Sequence, residues 1–114
     1  MRIITEFTDN PKQTAALVLE NNETVTFRLY YYETQLSWYF DFEYGSVISN
    51  GNKVVLGNNI LRSFKNIIPF GLAFKSLDGV EPYAVDDFTS GRVTVYLLSQ
   101  EDVVAMEANV YGVG

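Results

Sequence analysis

Residues 37–45 read Ser-Trp-Tyr-Phe-Asp-Phe-Glu-Tyr-Gly, and their alternation limits the possible folds more than any other stretch of the chain. Trp38, Phe40, Phe42 and Tyr44 fall on one side of an extended backbone, and Tyr39, Asp41 and Glu43 on the other. A period of two belongs to a strand, because successive side chains of a pleated chain point to opposite faces. Large rings along one face need a second layer, since a lone sheet would leave them in water. The stripe is therefore expected to lie inside a two-sheet core or a small barrel.

The same period recurs elsewhere. Val25, Phe27 and Leu29 alternate with Thr24, Thr26 and Arg28, while Val93, Val95 and Leu97 oppose Arg92, Thr94, Tyr96 and Leu98. Residues 15–19 read as the partner of 24–29 across a hairpin loop at Glu20-Asn21-Asn22-Glu23, where Asn accepts a positive φ. Asn50-Gly51 is the strongest type I′ turn signal and precedes the apolar run Val54-Val55-Leu56. Residues 71–76 supply another strand. Asp78-Gly79, Pro82, Asp86-Asp87 and Ser90-Gly91 make 78–91 a long polar loop, and only 59–66 and 101–108 could be helical. The expected fold is mainly all-β, a small antiparallel barrel or sandwich with at most one or two short helices. Its expected core holds Val25, Phe27, Leu29, Trp38, Phe40, Phe42, Val93, Val95 and Leu97. At 114 residues one domain is expected, spanning 1–98. Residues 99–114 form an acidic C-terminal extension with few large side chains, expected to order only on assembly.

Composition excludes several chemistries. With no His and no Cys there is no Ser-His-Asp triad, thiol nucleophile, disulfide or zinc site of the usual kind. A net charge of −6 without a basic run argues against nucleic acid, and no apolar stretch suggests a membrane span or signal peptide. Asp41 and Glu43 point the same way from one strand face, whereas two-carboxylate catalysis works across a cleft. They read as a solvated pair beside Arg28 or Arg92. Asp78, Glu81, Asp86 and Asp87 lack the spacing of a calcium loop and read as turn and capping residues. Gly57-Asn58-Asn59 lacks the spacing and Lys of a phosphate loop. The chain is read as a non-enzyme with no cofactor or metal; a carboxylate-only hydrolase on Asp41/Glu43 or Asp86/Asp87 is the weakest reading.

Charge is unevenly placed. Residues 1–43 carry seven acids and three bases, 44–77 four bases and no acid, and 78–114 seven acids and one base. Such polarity suits a part held between partners of opposite sign. Three consecutive tyrosines, Tyr30 to Tyr32, cannot all point inward from one strand.

The order of motifs resembles the small baseplate plug proteins of contractile-tailed bacteriophages. The residues that carry it are Asn10-Pro11-Lys12-Gln13, Thr26-Phe27-Arg28-Leu29 and Trp38-Tyr39-Phe40-Asp41-Phe42. Gly57-Asn58-Asn59-Ile60-Leu61-Arg62, Phe70-Gly71-Leu72, Asp87-Phe88 and Gly91 through Leu97 follow. The resemblance covers 3–98; a bulkier Tyr30–Gln35 segment and the tail after 98 depart from it. It implies a virion part of the tail baseplate, made in the host cytoplasm and packed with the central hub, tail-tube initiator or spike components. Partner contacts are then expected at Tyr31, Tyr32, Tyr83, Phe88, Val103, Val104 and Tyr111, with Lys53, Arg62 and Lys65 meeting an acidic surface. The alternative is a carbohydrate-binding β module using Tyr39 and the Tyr30–Tyr32 cluster.

Overall fold

A computed structural model describes residues 1–110, with side chains through residue 108. The strands are β1 (Arg2–Ile4), β2 (Lys12–Val18), β3 (Thr24–Tyr32), β4 (Ser37–Tyr44), β5 (Val47–Lys53), β6 (Phe70–Ser76) and β7 (Val93–Ser99). A helix, α1 (Gln100–Val110), follows β7 directly. The strands form two antiparallel sheets, β2-β3-β4-β5 and β1-β7-β6. Neither closes, so the architecture is a sandwich and not a barrel.

Register explains why the apolar faces meet. Phe27 stands opposite Ala15 on β2 and Phe42 on β4, while Leu29 stands opposite Phe40. In the other sheet Phe74 faces Val95 and Leu72 faces Leu97. A shift of one residue would turn each set into water, so burial itself sets the register. Rings then cross between the layers: Phe27 and Phe42 lie 6.2 and 6.0 Å from Phe70, both edge-on. Phe40 approaches Phe74 at 6.5 Å. Val25, Phe27, Leu29, Trp38, Phe40, Phe42, Val93, Val95 and Leu97 are all buried in this layer.

Local chemistry departs from the sequence expectation at Asn50-Gly51. The β4–β5 turn lies instead at Gly45-Ser46, with Gly45 at φ +57°. Asn50-Gly51 falls within β5, where the β4–β5 register slips between Phe40 and Phe42. Gly51 adopts φ +73° there, and its amide donates to Asp41 at 2.8 Å. Asn-Gly serves positive φ in a bulge as readily as in a turn. Residues 54–56 are not in a strand, and of 59–66 only Arg62–Phe64 is helical, as a single 3₁₀ turn.

The free edge of β6 is covered by the chain itself. Gly57 bridges to Phe74, and the Ile60 amide donates to the Leu72 carbonyl at 2.8 Å. The buried Asn59 side chain accepts from the Leu61 and Leu72 amides at 3.1 and 3.2 Å. It lies where a Cβ on Gly71 would stand, within 2.7 Å of its Oδ1. Asn59 and Gly71 are thus fitted to each other.

Candidate partner-binding surfaces

The segment 77–92 between β6 and β7 carries no regular structure, yet it is held at many points. Its centre is Asp87, 2% exposed. One carboxylate oxygen accepts the amides of Tyr83 and Ala84 at 2.7 and 2.8 Å. Arg92 donates to both oxygens, at 2.9 Å from Nε and 2.8 Å from Nη2. The same guanidinium reaches Asp78 at 2.8 Å and the carbonyls of Val80 and Glu81 at 3.0 and 3.1 Å. The Tyr83 ring covers it, 4.3 Å from the centroid. Two further bonds tie the loop to the large sheet: Trp38 Nε1 donates to the Ala84 carbonyl at 3.0 Å, and the Tyr31 hydroxyl to the Tyr83 carbonyl at 2.6 Å.

The electrostatics follow from this geometry. Burial alone would push the Asp87 carboxyl up, but the Arg92 guanidinium and the Ala84 and Tyr83 amides outweigh it and hold the group below the usual carboxylate range. Asp78 is likewise lowered, by the Val80 amide first and the Arg92 charge next. Arg92 is raised, chiefly by its bonds to Asp87. Both oxygens of Asp87 thus accept bonds from within the chain. Its carboxylate is held in place by the loop's own donors, and among the described residues no group of three or more acidic side chains gathers as a metal site.

A rigid loop displays apolar side chains cheaply, because their backbone is already ordered. Leu77 is 85% exposed and Tyr83 45%, with Val80 and Val85 also open to solvent. Phe88 is the exception in this loop. It turns inward, 5.0 Å from Trp38 and 6.1 Å from Phe74, and belongs to the core margin. Tyr31 is half-buried against Trp38 at 5.3 Å.

A second surface is the outer face of β3 and β4. Tyr30 and Tyr39 stack at 6.0 Å, and Tyr32 stands edge-on to both at 5.5 and 5.3 Å. Tyr39 donates to the Gln35 side chain at 2.8 Å and Tyr30 to Asp41 at 2.9 Å. Burial and then the Asp41 bond push the Tyr30 hydroxyl up to about 12. Asp41 and Glu43 also lie 3.6 and 3.7 Å from Arg28, a spread of paired charges and not a cleft. Stacking turns the faces of Tyr30 and Tyr39 toward each other, so only Tyr32 is well exposed. Lys53, at the rim of the sheet, approaches Glu81 at 4.0 Å.

The third surface is the basic patch, and here the described part of the C-terminal segment packs against the chain itself. Helix α1 begins with a reciprocal cap: the Ser99 hydroxyl accepts the Asp102 amide at 3.1 Å, and the Asp102 carboxylate accepts the Ser99 amide at 3.0 Å. Ser99-Gln100-Glu101-Asp102 carries that signal in the sequence, beginning two residues before the helix expected at 101–108. Val103 is only 6% exposed, packed with Ala73 and Leu98, so it is not a free contact residue. Glu107, one turn on, lies 2.8 Å from Arg62 and 3.3 Å from Lys65. The two cations expected to meet a partner's acidic surface are met by the chain's own helix. Val104 points outward, and Tyr111 lies outside the described residues.

Comparison with known proteins places this scaffold in a family. A search of curated proteins finds no match. Residues 1–101 match the family described as cyanophage baseplate Pam3 plug gp18, nearly the whole chain and all seven strands, with α1 almost entirely beyond the match. The chain therefore belongs to the cyanophage baseplate plug family, a family of structural parts of the phage tail baseplate.

Proposed function

We propose that this chain is a non-catalytic wedge in the central region of the baseplate, packing between the hub and tube-initiating or spike proteins. The observation that carries this reading is the clamped 77–92 loop. Asp87 is buried and Arg92 half-buried, both bonded within the loop, and the result is a fixed display of Leu77, Val80, Tyr83 and Val85. Preordered apolar side chains ringed by polar groups are what a protein interface uses. Tyr32 and Val104 add exposed apolar area on other faces, as a part with several neighbours needs. The β sandwich supplies the rigid body, and residues 99–114 serve as an extension of it. The chain enters the virion after synthesis in the host cytoplasm.

Copy-number mass spectrometry on purified tail particles tests this. Leu77→Ser and Tyr83→Ala chains should fold normally but enter particles poorly. Full incorporation of both variants would remove the loop from the interface, and absence of the wild-type chain from particles would remove the baseplate role. Glycan arrays test the carbohydrate reading, with Tyr32→Ala and Tyr39→Ala as controls.

A further inference from the structure

We propose that the outer edge of β2 pairs with the same edge of a second copy, joining the two four-stranded sheets about a two-fold axis. The inference concerns the free chain and does not rest on the baseplate reading.

It begins with the ladder parity. The Leu19 amide donates to Glu23 and the Tyr31 amide to Pro11, so the odd-numbered residues of this stretch bond to β3. In an antiparallel strand the even-numbered groups then point the other way. Lys12 confirms this, since its amide is taken by the Asn10 side chain at 3.0 Å. The amides and carbonyls of Thr14, Ala16 and Val18 therefore line an open edge. Among the described residues none of these amides has a partner on the outer side of the sheet.

Such an edge is normally blunted. The other edges of this molecule are. Residues 57–60 cover β6, β1 is three residues long, and β5 is bulged and rich in polar side chains. From Thr14 to Val18 there is no Pro, no charge and no bulge. The outward side chains are small or β-branched, with Val18 60% exposed.

The ends of the strand indicate a second copy as the occupant. Lys12 is exposed on the outward parity, and Glu20 is exposed in the turn that follows the strand; neither forms a salt bridge among the described residues, Glu20 acting on the N-terminal ammonium only at longer range. With Ala16 on the two-fold axis, Thr14 faces Val18 of the other copy, and the Lys12 side chain comes beside the turn that carries its Glu20. The amides of Thr14, Ala16 and Val18 in each copy then donate to carbonyls of the other. An isologous contact needs such self-complementarity, and here both charge pairs form at once.

Sedimentation velocity of the full chain over a wide concentration range is the test. Wild type should pass from monomer to dimer. Lys12→Glu or Glu20→Lys should each weaken association roughly ten-fold, because each turns both pairs repulsive. Mixing the two variants restores opposite charge at both pairs, so a heterodimer should form at wild-type strength. Circular dichroism checks that each variant folds. A chain that stays monomeric throughout overturns the proposal, and so does a dimer that ignores both reversals.

Discussion

Replacing Asp87 by Ala tests whether the loop is held as described. The substitution leaves the Tyr83 and Ala84 amides without their acceptor and strips the Arg92 guanidinium of two bonds. Removing one member of a buried ion pair costs about 3–5 kcal/mol. Asp78 still holds Arg92, which places the expected loss near the lower end, about 3 kcal/mol. That is a large share of the ~5–15 kcal/mol typical of a domain. Asp87→Asn keeps an acceptor oxygen but presents an amide to Arg92's donors, and should cost about 1–3 kcal/mol. Urea unfolding followed by Trp fluorescence suits the question, because Trp38 is the single Trp and its indole bonds to the loop at Ala84. The pH dependence is a second readout. Folding lowers the Asp87 pKa, so its contribution is complete above the unfolded value of about 3.9 and is lost as pH falls through the folded one. Wild type should lose stability from about pH 5 downward, and Asp87→Asn should show a flatter acid limb. An Asp87→Ala chain within about 0.5 kcal/mol of wild type, with the acid limb unchanged, would refute the clamp.

Three further outcomes are expected. Trp38→Ala should cost about 3–5 kcal/mol by equilibrium unfolding, since the ring is fully buried between Tyr31 and Phe88. Gly71→Ala should destabilise by about 1–3 kcal/mol, because the new Cβ would meet an Asn59 side chain pinned by two amides; pairing it with Asn59→Ala should show coupling in a double-mutant cycle. Glu107→Lys should speed hydrogen exchange in α1 while leaving the β6 and β7 amides protected, as it sets a third cation against Arg62 and Lys65.

The period of two in residues 24–29, 38–44 and 93–97 determined which side chains would face inward, because alternation is a local property of the pleat and survives any topology. The large rings on those faces then demanded a second layer, which made a sandwich or barrel legible. The absence of His and Cys likewise closed off most chemistry before any geometry was known. Only the tertiary structure decided the rest. Asn50-Gly51 offers positive φ, and whether that serves a turn or a bulge depends on strand register. Asp87 looked like an ordinary loop acid because Trp38, Tyr31 and Arg92, which make its loop a fixed surface, come from other strands or their margins. The sequence of the tail points to ordering on assembly because it holds few large side chains. Its docking depends on Val103 meeting Ala73 and Leu98, and on Glu107 meeting Arg62 and Lys65 far back along the chain. Local patterns follow from backbone geometry, whereas contacts between distant segments exist only once the sheets have stacked.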